Sequence, residues 1–203
     1  MAKLRVAVVG VGHLGQHHAR IASSAPDALL AAVVDPDPAR GPEIAGKFGA
    51  PWAASLDQVL ADVDAVQIAA PTGFHHALGA QALRAGKHVL MEKPLAASLE
   101  EGAALLEALA AARAAKPGLV AQVGHLERFN PAVAALRDRG FKPRFLEAVR
   151  VSPFPARSLE VDVIMDVMIH DLDLLRALVG RPVVDVVAVG LPVLTPSADL
   201  VNA

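Results

Sequence analysis

Leu4-Arg5-Val6-Ala7-Val8-Val9 runs directly into Gly10-Val11-Gly12-His13-Leu14-Gly15 at the start of the chain. A short, almost wholly apolar run, a cluster of glycines and then helical spacing from His13 to Ser23 read as strand, tight turn and helix. Each glycine has a use in such a turn: Gly10 for the bend, Gly12 for close approach of a ligand to the backbone, Gly15 for packing of helix on strand. A helix opening at His13, with Leu14 in its first turn, presents free N–H groups and a partial positive charge, which suit phosphate. Asp35 ends the next apolar run, Leu29–Val34, about 20 positions after the last glycine, where a carboxylate accepts from ribose hydroxyls and repels a 2′-phosphate. The pattern implies a bound dinucleotide, NAD rather than NADP. Arg40, on the helix that follows, is expected to face solvent, with approach to the 2′-phosphate of NADP the alternative.

Outward from that turn the same rhythm continues. Ala65–Ala69, His88–Met91 and Leu119–Val123 read as further strands, apolar throughout as in sheets covered on both faces. Ala39–Phe48, a short stretch after Ser55, His75–Ala85 and Leu99–Ala115 read as the helices between them, the last opened by a capping box of Ser98 and Glu101. The fold class is therefore α/β, with a doubly wound parallel sheet of the Rossmann kind over residues 1–123. Beyond it the pattern changes. Asn130-Pro131 caps a short helix to about Asp138, Arg144–Val151 reads as a strand, and a loop with Pro153 and Pro155 follows. Val161–Val179 reads as a helix ending at Gly180, and Val183–Leu191 as another strand. Residues 124–203 are expected to form the beginning of an α+β substrate domain, truncated at its end.

Composition removes several function classes. With 19 Lys+Arg against 21 Asp+Glu, the net charge of −2 gives no basic surplus for nucleic acid. The absence of cysteine excludes disulfide frameworks, thiolate metal sites and cysteine nucleophiles. Mean hydropathy is high at +0.42, yet the longest stretch without Asp, Glu, Lys or Arg, Ala65–Leu83, is broken by Pro71, Gly73, His75 and His76, so no membrane span is read. The apolar run near the N-terminus is too short for a signal peptide. A cytoplasmic chain is expected.

Two constellations carry chemistry. Lys93 follows an apolar strand and precedes Pro94, at the edge of the sheet where doubly wound folds bind ligands. Pro94 restricts Lys93 to extended backbone, so the lysine is either aimed into a site or simply exposed on a loop. On the helix Val161–Val179, Asp162, Asp166, His170 and Asp173 are spaced to share one face, either lining a cleft or facing solvent. Asp and His one turn apart can share an ion, but no third ligand is evident and no metal is expected. The remaining histidines, including His13, His17, His18, His76 and His88, are read as helix or strand-edge residues.

Ala70-Pro71-Thr72-Gly73-Phe74-His75, then Glu92-Lys93-Pro94, and later Asp166-Val-Met-Ile-His170 occur in an order that resembles the Gfo/Idh/MocA family of sugar oxidoreductases. The resemblance spans essentially the whole chain. It implies that Lys93, His170 and Asp166 are catalytic, with His170 the base, Asp166 its orienting partner and Lys93 either stabilising the alkoxide or itself relaying the proton. It implies further that Pro71, Thr72 and His75 lie beside the nicotinamide, that Glu92 and Lys93 belong to the cofactor edge, and that Asp173 meets substrate. Gly124-His125-Leu126-Glu127-Arg128-Phe129-Asn130-Pro131, and the lack of glycines around Asp166, resemble the branch containing UDP-N-acetylglucosamine 3-dehydrogenases. That implies a nucleotide-sugar substrate met by Arg128, Asn130 and Arg157. A simple sugar or inositol substrate, or a catalytically silent NAD-binding regulator, are the alternatives. A homo-oligomer is expected for a full-length member.

Overall fold

Strands β1 (Leu4–Val9), β2 (Ala28–Val34), β3 (Trp52–Ala53), β4 (Ala65–Ile68), β5 (His88–Met91) and β6 (Ala121–Val123) pair in parallel, in the order β3-β2-β1-β4-β5-β6. The computed structural model describes residues 2–140, 143–151 and 162–203. Between the strands run α1 (Gly15–Ser24), α2 (Arg40–Phe48), α3 (His75–Arg84) and α4 (Leu99–Ala115). Strand β1 shows why this sequence needs helices on both faces. Its side chains alternate, so Val6 and Val8 enter one core with Ala19, Ala22 and Ile44, while Ala7 and Val9 enter the other with Ile68, Leu83 and Leu105. The Ser98 side chain accepts from the Glu101 amide at the start of α4, as the capping box requires. No helix among the described residues is long and apolar enough to cross a membrane.

The chain divides into two compact units, Met1–Gly124 and His125–Ala203. The second holds α5 (Pro131–Asp138), a π-helical segment Ile164–Met168 that runs into α6 (Ile169–Val179), and an antiparallel pair, β7 (Val189–Leu191) and β8 (Leu200–Asn202). Asn130 caps α5 by accepting from the Ala132 amide. Asp199 holds the turn between β7 and β8, accepting from the Val193, Leu194 and Thr195 amides.

Several expectations are corrected. The edge strand Trp52–Ala53 was not expected, because two residues carry no readable alternation. The helix after Ser55 is a pair of 3₁₀ turns, Leu56–Gln58 and Leu60–Asp62. Arg144–Val151 is not a strand: among the described residues nothing pairs with it, and Phe145, Val149 and Val151 lie exposed. Strand propensity is realised only against a neighbour. Val183–Leu191 contracts to β7 for the same reason. The long helix opens with a π turn, whose i→i+5 bonds displace side chains four apart from the common face that an α-helix would give them. Pro153, Pro155 and Val161 lie outside the described residues.

Candidate dinucleotide and catalytic site

The turn after β1 and the loop after β4 meet at the carboxyl edge of the sheet, where strand order reverses and doubly wound folds bind ligands. Gly10 has φ +79°, and a Cβ on it would lie 2.6 Å from the Ala70 Cα, so only glycine fits. A Cβ on Gly15 would run into the Gly10 carbonyl oxygen. Gly12 is different. Its φ is not positive, and a Cβ there would meet nothing within 4 Å. The chain's own packing makes no demand for glycine at Gly12; the missing side chain leaves open space beside the turn, which fits a pyrophosphate. Helix α1 starts at Gly15 with Leu14 as its cap, two residues later than expected, and the His13 and His17 rings meet edge to face at 5.8 Å.

Asp35, at the end of β2, is 1% exposed. Its carboxylate accepts from the Val11 amide at 2.9 Å and the Asp37 amide at 3.0 Å. Arg40 does not face solvent: its Nε and Nη2 donate to the two Asp35 oxygens at 3.1 and 2.9 Å. A carboxylate removed from water needs such compensation. Burial pushes the Asp35 carboxyl up, but the Arg40 pair and the two amides outweigh it and hold it below the usual aspartate range. The Trp52 indole donates to the Asp35 carbonyl, which ties β3 to the same corner.

Pro71 accepts from the Phe74 amide through its carbonyl, closing a 3₁₀ turn that buries Thr72. His75 opens α3 and is almost fully buried. Its Nδ1 lies 2.8 Å from the Pro94 carbonyl oxygen and its Nε2 2.8 Å from the Ala70 carbonyl oxygen. The ring thus bridges the loop after β4 to the loop after β5. Carbonyls only accept, so both contacts are hydrogen bonds together only when both ring nitrogens carry hydrogen. Each ring nitrogen lies at hydrogen-bond distance from a backbone carbonyl, so the ring ties the two loops together.

Glu92 follows β5 and is buried. It is paired with His18 Nε2 at 2.8 Å, and its other oxygen accepts from the Lys93 amide at 3.3 Å. A Cβ on Gly124 would press to 3.0 Å from this carboxylate. Burial raises the Glu92 carboxyl, but the His18 bond, the charge on His18, the Lys93 amide and the Lys93 charge together bring it below the usual glutamate range. Lys93 itself is half-buried, and its peptide bond to Pro94 is cis.

In the second unit, Arg128 forks onto Asp173 with two contacts of 2.6 Å, and His125 Nε2 lies 3.9 Å from the same carboxylate. Burial raises the Asp173 carboxyl, but the Arg128 bonds and the His125, Arg128 and Arg176 charges hold it low. Arg128 and Asp173, expected to meet substrate separately, are joined to each other. Asn130 accepts from the Ala132 amide through Oδ1 and donates to Glu127 through Nδ2. Asp162 is drawn into the helix start, accepting from the Met165 amide. Asp166 lies within the π segment, and His170 at the start of α6, half-buried. Arg157 lies outside the described residues.

Residues 4–125 match the model of an oxidoreductase family with an NAD-binding Rossmann fold, Gfo/Idh/MocA. The chain belongs to that family. Among curated relatives, UDP-N-acetylglucosamine 3-dehydrogenase of Acidithiobacillus ferrooxidans is 45% identical over 204 residues, covering 100% of this chain and 63% of the relative. The scyllo-inositol 2-dehydrogenase (NAD(+)) of Bacillus subtilis is 33% identical over 91% of this chain and 56% of its own length. The chain thus spans less than two thirds of these relatives. The solved structure of the Acidithiobacillus enzyme superposes with a TM-score of 0.90 at 44% identity, over 99% of this chain and 65% of that one. GenD2 from gentamicin A biosynthesis, solved in complex with NAD, gives 0.82 at 28% identity, over 99% and 60%.

Against the Gfo/Idh/MocA pattern, the contacts that sequence reading missed are those of His18 with Glu92 and of Arg40 with Asp35. His18 meets Glu92 across 74 positions of chain, a distance at which no spacing rule operates. The one available signal was compositional: three polar residues, Gln16-His17-His18, stand together on the first turns of α1. Arg40 was visible as a charge near Asp35, but a helix position alone does not say where a long side chain folds back.

Proposed function

We propose that the chain acts as an NAD-dependent dehydrogenase that oxidises a secondary hydroxyl of a sugar, with a nucleotide sugar such as UDP-N-acetylglucosamine, at C3, as the favoured substrate. The observation that carries the cofactor half is the open space at Gly12, beside a helix start and one strand from the Asp35 carboxylate. The 45% identity to UDP-N-acetylglucosamine 3-dehydrogenase supports the substrate half. When bound, NAD supplies the acceptor for the hydride leaving the carbinol carbon. The chain's own residues then have two tasks, removing the hydroxyl proton and stabilising charge on the oxygen. His170 takes the proton, Asp166 orients the imidazole and favours its charged form, and the Lys93 ammonium stabilises the alkoxide. Glu92 and His75 hold the Lys93–Pro94 loop in place. The inositol dehydrogenase relative favours a second substrate class, a free cyclitol or simple sugar.

The test is a panel of nucleotide sugars, simple sugars and inositols with NAD, read at the NADH absorbance. UDP-N-acetylglucosamine is expected to be oxidised best; turnover of inositol alone would replace the nucleotide-sugar assignment. Lys93→Met and His170→Asn should each lower kcat by about 10²–10⁴-fold while NAD affinity changes little. A variant that keeps its kcat would remove that residue from the chemistry.

A further inference from the structure

Glu92 is a buried carboxylate held from several sides. Its amide donates to the Ile68 carbonyl at 2.9 Å, which seats the residue at the end of β5 beside β4. Its Oε1 pairs with His18 Nε2 at 2.8 Å, and its Oε2 accepts from the Lys93 amide at 3.3 Å. An ionised carboxylate only accepts, so His18 Nε2 carries the hydrogen of the first bond. That bond is the shorter of the two and the one that joins separate elements. The His18 side chain is 16% exposed and that of Glu92 7%, so water does little to replace either partner. His18 stands one turn inside α1, three residues after Gly15, whose missing Cβ lets the helix start sit against the Gly10 carbonyl. The helix of the glycine turn is thereby tied to the loop that carries Lys93.

We propose that His18 is a positioning residue for Lys93, acting through the Glu92 carboxylate. The charges that act on that carboxylate are those of His18 and Lys93. With the imidazole in place, one oxygen is turned to α1 and the other steadies the Lys93 backbone. Without it, a buried carboxylate keeps one bond of 3.3 Å, too little to compensate its lost hydration. Gly124 closes another side: the carboxylate lies so near its backbone that a Cβ there would come to 3.0 Å. The carboxylate then turns to the remaining cation, the Lys93 ammonium. Such a pairing draws the ammonium from the position in which it would meet an alkoxide, and cancels part of its charge. The inference rests on the proposed role of Lys93 in the reaction.

Two measurements on the whole chain test it. Dimethylation of the lysines with isotope-labelled formaldehyde keeps their charge and gives each a resonance, that of Lys93 being the one absent from Lys93→Met. In His18→Leu, without cofactor, this resonance should shift. In His18→Gln, whose amide donor reaches about as far as Nε2, it should return. In turnover with NAD, His18→Leu should lower kcat by about tenfold to a hundredfold, with the KM for sugar and the NAD affinity changing far less. His18→Gln should regain most of the loss. The effect should vanish beside Lys93→Met, because His18 then has nothing to position. Should His18→Leu melt too low to be studied, His18→Asn, polar but too short to reach Glu92, carries the same expectation. A Lys93 resonance that stays in place overturns the proposal, and so does a kcat loss that persists in full beside Lys93→Met. A wild-type chain that does not turn over, or a Lys93→Met variant that keeps its kcat, removes the proposed role of Lys93 in the reaction, while the resonance still decides whether His18 positions it.

Discussion

Replacing His75 with alanine should destabilise the first unit by about 2–5 kcal/mol, far beyond the usual effect of a surface substitution. The magnitude follows from two losses. The Pro94 and Ala70 carbonyls each lie 2.8 Å from a ring nitrogen; a ring with a single N–H donates to one of them, and a buried acceptor left without a partner costs about 1–3 kcal/mol. The ring is almost fully enclosed, so its removal also leaves a cavity, with a further cost of about 1–2 kcal/mol for partial collapse. Trp52 is the only tryptophan in the chain and lies in the first unit, so its fluorescence through a urea titration reports this unit directly. His75→Phe fills the space but bonds neither carbonyl, and should still lose about 1–3 kcal/mol. His76→Ala, at the next position and half-buried, should lose under about 1 kcal/mol. If His75→Ala also loses under about 1 kcal/mol, the imidazole does not hold the two loops together.

Gly12→Val and Gly15→Ala should part company: the first retains the wild-type urea midpoint and loses dinucleotide binding in calorimetry, because its Cβ meets only open space, whereas the second unfolds at lower urea because its Cβ strikes the Gly10 carbonyl. Equal destabilisation by both would show that the space at Gly12 is not reserved for a ligand. The stability that Glu92 draws from His18 and Lys93 is present above the ordinary glutamate pKa of about 4.3 and is lost as pH falls through its depressed folded value. Urea titrations from neutral to acid pH should therefore show wild type and Glu92→Gln converging as the solution is acidified; a constant gap would mean that the carboxylate's charge contributes nothing.

Most of the first unit was legible because a strand buried on both faces leaves a nearly unbroken apolar run, and β1, β2, β4 and β5 are such runs. The limits of legibility follow from the same physics. The two-residue β3 is held by register with Val33 and Val34 rather than by a pattern of its own. Arg144–Val151 has strand composition without a strand partner, and composition cannot report a missing neighbour. In the site, Gly10 and Gly15 could be read because each excludes a Cβ for a local reason, Gly12 because it completes their spacing, and Lys93 because a proline follows it. The pairs His18–Glu92, Arg40–Asp35 and Arg128–Asp173 could not be read as pairs. Each depends on where a flexible side chain ends, and two of the three join residues brought together only by the finished fold. The π turn before α6 escaped for a related reason: its sequence has the spacing of an ordinary helix, and only the closing bonds differ.

The strand order also governs how the first unit is assembled. Strand β1 is the first strand of the chain but lies at the middle of the sheet, and its second neighbour, β4, arrives about sixty residues later, with Val6 beside Ala65 and Val9 beside Ile68. Pairings this distant in sequence slow the search for the native state, because the loop must close before any contact is gained. Until then one edge of this largely apolar strand stands open to other chains. During synthesis, that edge of β1 cannot be closed before Ala65–Ile68 has left the ribosome. Substitutions that delay that closure would therefore lower the yield of soluble chain even when the completed fold is as stable as before.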